Sequence, residues 1–198
     1  MVKIGFIVEG YSEKILIESD TFRKWCEKNK IIVVAPVINA KGGGNLLPQY
    51  LSNHITNISE NGRPDKIVVL TDLENICAVE KVRRRILTEE FKNKIDFVFV
   101  SVKALEAWFL ADGTAMASWL GEKTFHEDRP EETPGMPQER IKQIAKDKNK
   151  RGPGPHPEFT KKMMRHGFSI ERAAAHPHCP SAKEFYDTLK KWGQATYE

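Results

Sequence analysis

The sequence has no apolar run approaching the roughly 20 residues that a membrane-spanning helix needs, so a membrane-embedded protein is not expected. Nor does it open on a basic stretch followed by a long apolar segment, and the expected location is the cytoplasm. Cysteine is scarce. Cys26, Cys77 and Cys179 stand apart without CxxC spacing, which argues against a disulfide framework and against a thiolate zinc site. They read as small buried hydrophobes or inert thiols. The glycines of Lys41-Gly42-Gly43-Gly44-Asn45 are not followed by Lys-Ser/Thr, and the Gly-x-Gly-x-x-Gly spacing is missing. Neither an ATPase site nor a dinucleotide site is therefore expected within the chain. His156, His166, His176 and His178 with Cys179 lack regular finger spacing and are interrupted by prolines, so no zinc site is expected there either. No strand pattern follows Val102 and no internal repeat is present.

What is present is strand–helix alternation. Val2-Lys-Ile-Gly-Phe-Ile-Val8 is a buried strand, and Glu13 to Asn29 has helical spacing of Ile15, Leu16, Phe22, Trp25 and Cys26. Ile31 to Ile38 reads as a second strand, with Pro36 marking an edge or bulge. Asn45 is the candidate cap of a helix over 46–59. A third strand spans Lys66 to Asp72, a basic helix Ala78 to Phe91, a fourth strand Ile95 to Val102, and a helix Leu105 to Leu120. This order predicts an α/β domain over residues 1–121, a mainly parallel four-stranded sheet flanked by helices. Residues 122–198 are punctuated by proline and predict a helical C-terminal extension. Its short helices span 138–148, 158–165, 169–175 and 182–192, the last capped by Ser181, and it packs on the sheet through Phe185, Leu189 and Trp192.

The chemistry is concentrated where strands end. Glu9 follows the first strand, with Glu13 about one helical turn on. Asp72 closes the third strand; Glu74, two residues later, would point to the same side if the backbone stayed extended. In open α/β sheets the carboxyl ends of the strands border the crevice where ligands bind. Neighbouring strands lie about 4.8 Å apart, so acids on two of them can share a cation. Hard oxygen donors suit Mg²⁺ or Mn²⁺, one ion or two. After the fourth strand come Lys103 and Glu106, able to balance phosphate charge and to complete a second metal position. Read without a ligand, Glu9 and Glu13 are a helix N-terminal acid pair, Glu106 a first-turn acid, Lys103 a solvated side chain and Asp112 a C-terminal cap.

The order Val8-Glu9-Gly10-x-Ser12-Glu13, then Thr71-Asp72-Leu-Glu74, resembles the TOPRIM domain of topoisomerases, bacterial primases, recombination mediators and OLD-type nucleases. The resemblance covers roughly residues 1–112. It implies acid–base or metal-binding work for Glu9 and Mg²⁺ binding by Asp72 and Glu74, where the family's Asp-x-Asp has become Asp-x-Glu. The OLD-like branch further implies metal or phosphate roles for Glu13, Glu106 and Lys103. The segment Leu105-Glu106-Ala-Trp108-Phe-Leu-Ala-Asp112 also resembles small stand-alone TOPRIM-like bacterial proteins that accompany ATPases in mobile or defence loci, which implies a separate ATPase partner.

Thirty-one Lys and Arg against 27 Asp and Glu give a net charge of +4, mild for a nucleic-acid binder. If the acids gather round a metal, however, the remaining surface is more basic than that sum. Lys41 and the run Arg83-Arg84-Arg85 are candidate nucleic-acid contacts; the alternative for each basic run is a solvated helix face. Taken together, the residues and the resemblance predict a Mg²⁺-dependent nucleic-acid phosphodiesterase, with Glu9, Lys103 and Glu106 catalytic. Glu9, Glu13, Asp72, Glu74 and Glu106 would bind metal, and family grounds favour DNA over RNA. The alternatives are a non-catalytic module binding nucleic acid or a partner, and a metal-dependent phosphotransfer enzyme acting on small nucleotides.

Overall fold

A computed structural model describes residues 1–74, 76 and 78–195; Cys77, read above as a buried hydrophobe or inert thiol, lies outside them. Strand β1 is Val2–Val8, followed by α1 (Tyr11–Glu18) and α2 (Asp20–Lys28). The single helix expected over 13–29 is broken at Ser19, whose backbone is extended at φ −65° and ψ 143°. Its hydroxyl donates to the Leu16 carbonyl at 2.7 Å and accepts from the Phe22 N–H at 3.2 Å. One serine thereby closes the first helix and caps the second.

The segment expected as one strand is two, β2 (Ile31–Val33) and β3 (Ile38–Asn39), both pairing parallel with β1. Pro36 lies between them and has no N–H to give a ladder. A 3₁₀ turn at Gly43–Leu46 precedes α3 (Pro48–Gly62). Asn45 does not cap that helix: it sits inside the turn, and its amide donates to the Ala40 carbonyl at 2.8 Å. Then come β4 (Lys66–Asp72), α4 (Val79–Ile86), β5 (Phe97–Ser101), α5 (Glu106–Ala111) and α6 (Gly113–Leu120). The expected helix over 105–120 is thus divided at Asp112, which ends α5 and caps α6 by accepting the Ala115 N–H at 3.2 Å. Helices α7 (Pro137–Asp147), α8 (His156–Arg165), α9 (Ile170–Ala174) and α10 (Pro180–Gln194) follow.

The sheet is parallel throughout, in the order β2-β1-β4-β5, with β3 beside β1. Side chains alternate across it and both faces are buried, as expected for parallel strands covered on both sides. Ile4, Phe6, Val8, Val68, Leu70 and Phe99 face one apolar cluster, while Ile7, Val69, Val98 and Val100 face the other. Helices α3 and α4 cover the second face. The first is covered by α1, α2 and the helices from α5 onward, so the C-terminal segment shares one core with the sheet. Phe185 of α10 is fully buried among Phe6, Phe22, Phe99 and Trp108, with ring centroids 4.8–6.4 Å away. Burial of such a ring is worth roughly 1.5–3 kcal/mol. Among the described residues no helix is long and apolar enough to cross a membrane.

Because the chain leaves β1 toward β2 and β3 and then returns to β4 on the other side, the strand order reverses between β1 and β4. That is the point where open α/β sheets form their crevice.

Candidate active site

Glu9 is the first residue past β1. Its N–H continues the ladder to the Leu70 carbonyl at 2.9 Å, so its backbone position is set by the sheet. Its carboxylate is held as well: Oε2 accepts the Thr71 hydroxyl and, at 3.1 Å, the Asp72 N–H. Its carbonyl takes the Gly42 N–H at 2.8 Å. The glycine loop therefore folds over it, and a Cβ on Gly43 would stand 3.2 Å from Oε1. Gly42 turns the loop at φ 120°, a conformation open to glycine and strained for other residues.

Asp72 ends β4 in register with Ser101 of β5. Its Oδ1 accepts the Ser101 hydroxyl and, at 3.0 Å, the Leu105 N–H. Glu13, buried in the first turn of α1, reaches back to the Gly10 N–H at 2.9 Å. Glu106 opens α5, is 1% exposed, and meets His156 Nδ1 at 2.7 Å. That histidine begins α8, which packs against α1 and so brings the ring to the acids.

These four carboxylates act on one another. Burial pushes Glu13 up to about 7, with the charges of Glu9 and Glu106 adding to it. Asp72 is held well above the usual carboxylate range, first by burial and then by Glu13, with smaller contributions from Glu106 and Glu9. The hydrogen bond to Glu106 raises His156. Among the described residues no Lys or Arg forms an ion pair with any of the four. Glu9 Oε1, Glu13 Oε1, Asp72 Oδ2 and Glu106 Oε2 accept no hydrogen bond from the described residues. As the side chains stand, no three His, Cys, Asp or Glu among the described residues gather closely enough to hold an ion. The donor set itself fits a hard divalent cation: each acid has one oxygen anchored by the protein and one uncommitted.

Glu74 stands differently from its expected place. The strand stops at Asp72, and Glu74 lies in a turn at φ 48°, its N–H donating to the Lys103 carbonyl at 2.8 Å. Strand alternation does not carry to it, and its exposed side chain borders the cleft without joining the four acids. Lys103 donates to the carbonyls of Thr133 and, at 2.8 Å, Gly135, tying the C-terminal segment beside the site. Asp112 is fully buried and held by Arg172 at 2.8 Å, a structural pair away from the cleft.

The cleft beside Glu9 and Asp72 encloses about 180 Å³ and is bordered by Gly43, Gly44, Thr71, Glu74 and Arg85. The three consecutive arginines separate here. Arg83 is drawn inward, with Glu184 at 2.6 Å, the Val98 carbonyl at 3.1 Å and the Phe97 ring at 4.9 Å. Arg84 is exposed. Arg85 is also exposed but reaches the cleft. Lys41 lies on the other side of the glycine loop. Sequence reasoning did not single out Thr71, Ser101 or His156 for this site. The Ser101–Asp72 pairing follows only from the β4–β5 register, and His156 sits 50 residues from its partner.

Ser181 does not cap α10 as expected, since the helix starts at Pro180, two residues earlier, with Cys179 at its N-cap. Its hydroxyl instead donates to buried Glu131 at 2.5 Å and accepts the Trp108 indole N–H at 2.7 Å. The remaining histidines are apart from the acids: His166 meets the Ser118 hydroxyl at 2.9 Å, and His176 stacks on His126.

A family model described as a domain of unknown function, DUF4276, matches residues 8–190. The chain belongs to that family. No match was found among curated proteins or among solved structures.

Proposed function

We propose that this member of the DUF4276 family is a Mg²⁺-dependent nucleic-acid phosphodiesterase of TOPRIM-like type, working in the cytoplasm. One observation carries the reading: Glu9 and Asp72 stand at the ends of adjacent parallel strands at the switch point, and their carboxylates are anchored by Thr71, Ser101 and backbone N–H groups. Burying acids against one another is costly unless a cation compensates. Glu9 and Asp72, with Glu13 and Glu106, would hold one or two divalent ions, which stabilise charge on a phosphoryl group and activate water when bound.

The chain's own groups supply the rest. Arg85 brings positive charge to the cleft and suits a phosphate better than Lys103, whose ammonium is engaged by two carbonyls. The backbone of Gly43 and Gly44 lets a substrate approach Glu9 closely. His156, held by Glu106, can deliver or accept a proton beside the acids. The resemblance in sequence, rather than any surface described above, supports a separate ATPase partner and favours DNA over RNA.

The test is incubation of the purified protein with single- and double-stranded DNA and RNA in Mg²⁺, Mn²⁺ or EDTA. Cleavage in either metal that EDTA abolishes supports the reading. Intact substrates in every metal condition contradict it.

A further inference from the structure

Across the glycine loop from the acid cleft lies an open groove of about 510 Å³, lined by Tyr11, Lys14, Asn39, Lys41 and His54 among others, with no carboxylate in its wall among the described residues. Tyr11 is 61% exposed, more than any other large hydrophobic side chain among the described residues, so its ring stands in water beside a catalytic candidate. The two lysines differ. Lys14 is committed to the Val37 carbonyl at 3.0 Å and to Glu18 at 3.7 Å, whereas the Lys41 ammonium has no ion pair or hydrogen bond among the described residues.

The wall also holds unspent hydrogen-bonding capacity. Asn39 Nδ2 and His54 Nε2 are buried without a hydrogen-bond partner among the described residues, while Asn39 Oδ1 is held by the Lys41 N–H at 2.7 Å. The groove and the cleft are neighbours through the chain itself. Tyr11 is two residues from Glu9, and Lys41 two from Gly43, which packs on Glu9. Two residues span at most about 7 Å.

We propose that this groove is a single-strand subsite, in which a nucleobase next to the reacting phosphate stacks on Tyr11 while Lys41 takes the adjoining phosphate. The inference rests on the reading of the substrate as nucleic acid. An exposed ring offers every base a stacking face, and a lysine nearby follows the backbone without reading sequence. A base within a duplex is already stacked on both sides and cannot use Tyr11 in this way. The chain therefore discriminates single strand from duplex beside its catalytic acids.

The experiment is fluorescence anisotropy with a labelled thymidine oligomer and with a duplex of equal length, in Ca²⁺. Tyr11→Ala should weaken binding of the single strand about tenfold, in the range of one lost base–aromatic stack. Tyr11→Phe should bind like the wild type, and duplex affinity should be unchanged in both variants. Lys41→Gln should reduce the slope of log affinity against log salt by about 0.7 for the single strand. Full single-strand affinity in Tyr11→Ala, or an equal loss for the duplex, overturns the subsite, as does a wild-type protein that binds neither ligand.

Cleavage in Mg²⁺ is read separately. Binding that depends on Tyr11 without cleavage overturns hydrolysis and leaves the subsite standing. Cleavage with no effect of Tyr11 does the reverse.

Discussion

The Asp72 N–H donates to Glu9 Oε2 at 3.1 Å, so the acids ending two adjacent strands are joined through a backbone hydrogen bond. The contact fixes Glu9 by the same register that pairs Val8 with Leu70. In that partly buried crevice the Asp72 carboxylate feels the charges of Glu13, Glu106 and Glu9. The arrangement stores repulsion that a divalent cation would relieve.

Asp72→Asn keeps an oxygen for the Ser101 hydroxyl and the Leu105 N–H while removing the charge. Metal-dependent cleavage should be lost. In EDTA at alkaline pH the variant should be as stable as the wild type or more so, read as the urea midpoint. A lower midpoint would show that the Asp72 charge is needed by the fold instead.

Stability without divalent metal should fall as pH rises. Glu13 is raised from 4.5 to about 7 in the folded protein, so the native state holds its proton more tightly than the unfolded chain. That contribution is fully present below 4.5 and is lost as pH climbs through 7, amounting to about 3 kcal/mol. Asp72 shifts in the same direction. Urea denaturation in EDTA across this window should show the decline, and Glu13→Gln should flatten it. A wild-type midpoint that rises with pH would contradict the described packing of the acids.

The arginine run should divide by function. Arg83→Ala removes the Glu184 ion pair, the bond to the Val98 carbonyl and the contact with Phe97, and should cost about 1–3 kcal/mol of stability. Arg85→Gln should leave stability within about 0.5 kcal/mol but weaken binding of nucleic acid and reduce its salt dependence. Thermal melts paired with salt titrations distinguish the two, and a reversed pattern would mean that α4 is turned differently.

Glu131→Ala should destabilise by about 2–3 kcal/mol, because the Ser181 N–H and hydroxyl and the Cys179 thiol all direct hydrogen bonds to that one buried carboxylate. Glu132→Ala, on the surface beside Arg129, should be nearly neutral. Equal effects in calorimetry would argue against the buried network.

Much of this was legible in the chain because β1 and β4 are largely apolar runs whose ends are marked by acids. The parallel sheet and the neighbourhood of Glu9 and Asp72 followed from that pattern. Other features needed three dimensions. Helical spacing runs through Ser19, and only its two hydrogen bonds reveal the break. Glu74 was placed by strand alternation that stops two residues before it. Arg83, Arg84 and Arg85 are equivalent as letters, and the rotation of α4 decides which is half-buried. Glu131 lies in a proline-rich polar stretch that reads as solvated, yet it closes the core beneath Trp108 through Ser181. His156 reached the acids only because α8 packs on α1.

The most direct test of the central claim is the turnover of Glu9→Gln on whichever nucleic acid the wild type cleaves, measured across Mg²⁺ concentrations. Glutamine keeps an acceptor for Thr71 and Asp72 and removes only the charge. The account predicts a fall of about 10² or more, with little change in affinity for substrate in Ca²⁺. Wild-type turnover by Glu9→Gln at every Mg²⁺ concentration would place the activity at another site and contradict the account.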